Sequence, residues 1–112
     1  MPIEKWSDRI VIVHLSSDHH LAEDLQAVGD QHAQQPVDAV LDFAAVKYVN
    51  SSHIARLLKL RKMISSSENR LILCAMDTQV WGAFLVTGLD KVFEFTDSVP
   101  TALASLQLSR QS

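Results

Sequence analysis

The sequence predicts an α/β layer fold, and three observations carry that expectation. Short aliphatic, β-branched runs alternate along the chain with longer stretches of helical periodicity. The distance between successive runs leaves room for a helix to cross over between parallel strands. The length of 112 residues and an apolar share of 47% suit a single domain, residues 1–112, with one continuous core. No internal repeat, low-complexity tract or linker divides the chain.

Each element has a local reason. Residues 3–6 read as a short strand and 9–15 as a second, rich in Ile and Val, with Ser7-Asp8 suited to a tight turn between them. From Asp18 to about Gln34, Leu21, Leu25 and Val28 recur at helical spacing, Ser17 or Asp18 serves as N-cap, and Gln34-Gln35-Pro36 ends the run. Residues 37–43 form an apolar run broken by Asp38 and Asp42, as expected for a strand buried on both faces.

Ser51 or Ser52 opens the next helix, which continues to about Ser66. Ile54, Leu57, Leu58, Leu60 and Ile64 cover one broad face of it, while Arg56, Lys59 and Lys62 point away. Arg61 falls inside the apolar arc, where its stem packs and its head reaches water. Asn69 is the expected left-handed residue after this helix. Residues 71–76 form another buried strand, and 78–87 a short helix stopped by Gly88. Residues 92–95 are a strand and 99–108 a last helix with Pro100 in its first turn, leaving a frayed polar tail from about 109.

Composition narrows function. Ten basic and 13 acidic residues give a formal charge of −3, which argues against a nucleic-acid partner. Cys74 alone permits neither a disulfide nor a thiolate zinc site, so a cytoplasmic location is expected. No apolar run reaches the roughly 20 residues of a membrane span, and the opening residues lack the order of a signal peptide. Three scattered glycines cannot build a phosphate-cradling loop, so no nucleotide cofactor is expected. His14, His19, His20 and His32 lack ligand spacing, and no metal is expected. No nucleophile–base constellation marks an enzyme.

The informative stretch runs from Asp42 to Ile54: a buried strand ends, a short connection follows, and a helix begins at paired serines. Asn50, Ser51 and Ser52 suit plain capping. They also put hydroxyls at a helix N-terminus, where free N–H groups and the macrodipole accommodate added negative charge. A phosphate there would add roughly −1.5 to −2 charge and repel a partner bound beforehand.

Asp42-Phe43, then Val46, then Val49-Asn50-Ser51-Ser52-His53-Ile54 resembles the motif of STAS domains, the sulphate transporter and anti-sigma-factor antagonist family. That motif reads roughly D-[FL]-x-x-V-x-x-[ILV]-[DN]-S-[ST]-G-[ILF]. The similarity continues through residues 57–62, Arg70-Leu71-Ile72-Leu73, and Thr87-Gly88-Leu89-Asp90-Lys91-Val92-Phe93, spanning about residues 37 to 106, and the opening residues fit the family's first hairpin. The resemblance implies a small mixed β-sheet with helices packed largely on one side. It also implies a non-catalytic switch that binds an anti-sigma factor, often a serine kinase, and reaches nucleotide only through that kinase. The kinase would phosphorylate the second serine of the pair, Ser52, with Ser51 the lesser candidate, and a phosphatase would reverse it.

Asn50 replaces the family's usual acid, and His53 stands where glycine is usual. An imidazole there either blocks the kinase's approach or, when protonated, pairs with a phosphate on Ser52; blockage is the expectation. That favours a second role known in the family, a constitutive, unphosphorylated subunit of a phospholipid-transport ABC ATPase or another complex, without insertion into the membrane itself. Asn50, Ser51, Ser52 and His53 are thus the expected regulatory surface. Arg56, Lys59, Leu60 and Met63 are the expected flanking contacts, and Trp81 is either an aromatic anchor or a ring packed on a neighbouring helix.

Overall fold

The structure, a computed structural model, describes residues 3–16 and 20–111. It begins with the expected hairpin. β1 (Ile3–Lys5) pairs antiparallel with β2 (Ile10–His14), Ile3 opposite Val13, and the Ile10 carbonyl accepts the N–H groups of Trp6 and Ser7 to close the turn. The chain continues through α1 (Leu21–Gln34), β3 (Asp38–Asp42), α2 (Ser51–Ser66), β4 (Leu71–Cys74), α3 (Thr78–Val86), β5 (Glu94–Thr96) and α4 (Val99–Gln111). The five strands lie side by side in chain order, and β2 to β5 run parallel.

Strand parity divides the core. Val11, Val13, Ala39, Leu41, Leu71 and Leu73 point to the face covered by α1, α2 and α3. Ile10, Ile12, Val40, Ile72 and Cys74 point the other way, where Ala102 and Leu106 of α4 cover them. Three helices against one matches the expected one-sided packing. Burying each such aliphatic side chain contributes about 1.5–3 kcal/mol, which sets the register of the central strands.

Two polar fastenings position the outer elements. Buried Asp38 accepts the backbone N–H of Arg70 at 2.8 Å, tying β3 to the start of β4. The Arg70 guanidinium holds Glu94 of β5 through Nη2 at 2.6 Å and Nε at 3.1 Å, and also reaches Ser105 of α4. A forked arginine pair of this kind fixes direction as well as charge.

Several boundaries differ from the expectation. α1 starts at Leu21, and His20 at its N-cap offers no side-chain bond; Ser17 and Asp18 lie outside the described residues. The segment before α1 is held by buried Asp24, which accepts the Ser16 N–H at 2.7 Å. Leu58 is 38% exposed, and the buried stripe of α2 is His53, Leu57, Leu60 and Ile64. The left-handed residue after α2 is Glu68, not Asn69. β4 stops at Cys74. Gly88 does terminate α3 at φ 75°, but a 3₁₀ turn over Leu89–Lys91 follows and displaces β5 to Glu94–Thr96. α4 continues past 108 to Gln111.

Candidate functional site

The connection from β3 to α2 is pinned from beneath by Phe43, Val46 and Val49, all buried. Asp42 accepts the Ala44 N–H at 2.9 Å and Phe43 accepts that of Val46, so the strand turns at once toward the helix. Asn50 is the N-cap: its Oδ1 accepts the His53 N–H at 2.9 Å. In return the Asn50 N–H donates to Nδ1 of His53 at 3.1 Å. This is a capping box in which histidine occupies the position usually held by Glu or Gln.

That arrangement corrects the expected role of His53. The residue is 6% exposed, and its ring is folded under the helix start rather than raised beside Ser52. Its Nδ1 is already engaged as the acceptor of the Asn50 N–H. The exposed part of the expected surface is Asn50, Ser51 and Ser52, with the serines at the first two helical positions. Among the described residues, no side chain hydrogen-bonds to either serine hydroxyl, so neither has a base to activate it.

The flanking residues separate in the same way. Arg56 and Lys59 are exposed, and Arg56 reaches Oε1 of Gln26 at 3.5 Å. Met63 is half-buried. Leu60, expected as a contact, is 4% exposed and packs between α2 and α1 beside Gly29, because it completes the stripe headed by His53. Trp81 packs its ring edge-to-face on Phe95 of β5, centroids 4.8 Å apart, so its partner is a strand and not a helix. It lines a cavity of about 300 Å³ with Met76, Thr78, Thr96 and Asp97.

Sequence reasoning missed the apolar residues that are most exposed near the serines. Tyr48 is 58% exposed, two residues before the cap, and Val86 at the end of α3 is 88% exposed. Val86 lies off the Val80–Phe84 spacing of α3's buried face, a signal that was present in the sequence.

On the other side of β3, His14 bridges two carboxylates: Nδ1 to Asp42 at 2.9 Å and Nε2 to Glu4 at 3.0 Å. The hydrogen bonds to Glu4 and then Asp42 raise its pKa above the usual 6.5. Cys74, opposite Asp42 in the sheet, is pushed up to about 12, by burial first and by the Asp42 charge second. Its thiol donates to the Leu41 carbonyl at 3.5 Å, the behaviour of a core residue. Asp38 and Asp42 are both engaged in backbone bonds and do not form an acid–base pair. Among the described residues, no three His, Cys, Asp or Glu side chains could hold a metal ion, and no helix is long and apolar enough to cross a membrane.

Comparison with known proteins gives this geometry a context. A family model of the STAS domain matches residues 3–102. No curated protein sequence matches the chain. Among solved structures, an anti-sigma-factor antagonist (STAS) domain protein from Planctomyces limnophilus superposes with a TM-score of 0.78 at 17% identity, covering 94% of this chain and 97% of that one. The Bacillus cell fate determinant SpoIIAA in its phosphorylated form gives 0.71 at 19% identity, over 93% and 96%. A sulfate transporter family protein from Wolinella succinogenes gives 0.76 at 18% identity, over 93% and 88%. At these identities the likeness establishes the fold.

Proposed function

The chain belongs to the STAS domain family, and from that premise we propose that it is a non-enzymatic regulatory protein of the anti-sigma-factor-antagonist type. In this reading it works in the cytoplasm and binds an anti-sigma factor of the serine-kinase type through the start of α2. Phosphorylation of Ser52, rather than Ser51, ends the complex. Nucleotide enters only through the bound kinase.

The observation that carries the reading is the pair of exposed serines on a helix start already fastened by the Asn50–His53 capping box. A phosphate on Ser52 meets the unpaired N–H end of α2, so the chain tolerates it. A partner seated on the same surface meets roughly −1.5 to −2 of added charge, and the complex is repelled. The alternative, an unphosphorylated subunit of a phospholipid-transport ATPase, drew its support from His53 standing in place of glycine; a ring that is 6% exposed and folded into the cap weakens that support.

Intact-mass spectrometry after incubation with a serine-kinase anti-sigma factor from the same genome and ATP is expected to show one added phosphate, lost in Ser52→Ala. Calorimetric titration is expected to show at least tenfold weaker binding for Ser52→Asp. Equal affinity for both forms would overturn the switch. An ATPase of the transporter class recovered as the stable partner would restore the alternative.

A further inference from the structure

The serines that open α2 have no base beside them, but a serine that closes it does. Ser67 is the C-cap of α2 and is exposed, and its Oγ lies 2.7 Å from Nε2 of His32 on α1. His32 is 5% exposed, so the ring is withdrawn from solvent while the hydroxyl it meets is not.

The supply of donors and acceptors fixes where the hydroxyl proton sits. Burial lowers the His32 pKa below 6.5, with the Val37 carbonyl, which accepts from the ring, acting in the other direction. At neutral pH the ring is therefore the free base, its one proton on the nitrogen that faces Val37 and a lone pair on Nε2. The competing acceptor for the Ser67 hydroxyl is the Ile64 carbonyl at 3.0 Å. That carbonyl already accepts the N–H groups of Ser67 and Asn69, which fill its two lone pairs. Nε2 has Ser67 as its one hydrogen-bond partner among the described residues, and without that proton it would be a buried acceptor left unsatisfied. The hydroxyl thus donates to His32. Nδ2 of Asn69 donates to the same oxygen at 3.0 Å and holds it in place.

Carbonyl, imidazole and hydroxyl in this order form a nucleophile with its base: the ring takes the proton as the oxygen attacks an electrophile. The place of Ser67 on the helix selects the electrophile. Ser52 stands at the end of α2 that welcomes negative charge, whereas Ser67 stands at the end where unpaired carbonyls and the macrodipole oppose it, with Glu68 next in the chain. A phosphate on Ser67 is disfavoured there, and a neutral acyl group is not.

We infer that Ser67 is an acyl-acceptor site, a hydroxyl that takes an acyl group from an activated acyl donor with His32 as its base. In the step, a bond forms between Oγ and the acyl carbon, and the bond from that carbon to its leaving group breaks. The Oγ proton passes to Nε2 and from there to the leaving group. The chain is itself the acceptor, so the step modifies the protein and turns over no substrate. The ester has no proton to give, so His32 loses its donor and the tie between α1 and α2 is cut. The site lies at the opposite end of α2 from Ser51 and Ser52 and does not depend on the proposed function.

The test is incubation of the full chain at neutral pH with 4-nitrophenyl acetate and, in parallel, with acetyl phosphate and with acetyl-coenzyme A. Intact-mass spectrometry and peptide mapping then locate the acetyl group. Ser67 is expected to react at least about tenfold faster than Ser65 and Ser66, which share its helix end and bond no histidine among the described residues. That comparison is made within the wild type and needs no variant to fold. His32→Gln keeps an acceptor for the hydroxyl but no base, and is expected to bring Ser67 down to the rate of its neighbours. The singly acetylated protein is expected to melt at a lower temperature than the unmodified one. Selective reaction with any of the three reagents supports the site, and the faster of the last two names the kind of donor. Ser67 no faster than Ser65 and Ser66 with all three, or an unchanged rate in a His32→Gln protein whose melt shows it folded, overturns the inference.

Discussion

At Glu68 the chain adopts φ 63°, one residue beyond the α2 cap. The Asn69 N–H returns to the Ile64 carbonyl at 3.1 Å and the Glu68 N–H to Ser65 at 3.0 Å, which together make a Schellman closure. That closure needs a left-handed residue at position 68, and a glutamate Cβ there strains the backbone by roughly 1–2 kcal/mol. Glu68→Gly is therefore expected to stabilise the protein by about 1 kcal/mol, read from the midpoint of urea unfolding at unchanged slope. The sequence pointed to Asn69 because asparagine tolerates this conformation well. The position was instead set by where the helix ends, and an offset of one residue is invisible to propensity. His53 has the same lesson. The spacing Asn50-x-x-His53 is that of a capping box, but a box is ordinarily recognised by Glu or Gln, so histidine passed for a surface departure from glycine.

Among the elements, β1 is held in part by side-chain chemistry, as β5 is by the Arg70–Glu94 pair. It is three residues long, and beyond its ladder to β2 it depends on His14, which joins Glu4 of β1 to Asp42 of β3. Both ring nitrogens face carboxylates, an arrangement satisfied in full when the ring is protonated and donates twice. The folded-state pKa is raised, so this stabilisation is fully present below 6.5 and is lost as pH climbs through the higher folded value. Comparing wild type with His14→Gln by urea unfolding, the wild-type advantage is expected to shrink as pH rises above 6.5 through the raised folded-state value. A constant advantage contradicts the bridge. His32 titrates in the opposite sense. Burial beside Ser67 lowers its pKa, so it opposes stability as pH falls below 6.5. Elements with strong periodicity were legible to the residue: α2 spans Ser51–Ser66 as expected. β5 was not, because the 3₁₀ turn after Gly88 takes up Leu89–Lys91, and nothing in the apolar pattern marks a turn that is itself partly apolar.

For the whole molecule, the second face of the sheet depends on α4. Ala102 and Leu106 are fully buried over Ile10, Ile12, Val40, Ile72 and Cys74. Leu106→Ala is expected to cost about 2–4 kcal/mol. Native Cys74, buried and pushed up to about 12, is expected to resist thiol reagents at neutral pH, and the same substitution to speed its labelling. Resistance unchanged in Leu106→Ala would mean that α4 is not the cover. The layer architecture was legible because each strand states its burial in a few consecutive residues. The pairing of Ser67 with His32 was not, because 35 residues separate them and only the folded chain brings them together. The side-by-side order of the strands has a consequence for synthesis. Since each strand pairs with the one made just before it, a chain leaving the ribosome can extend its sheet in one direction, with no strand waiting on a later one. The exception is α4, whose 13 residues emerge after all five strands and must reach back across strands made much earlier. Until they do, the nascent protein carries a bare hydrophobic face, and that interval is when it most needs a chaperone.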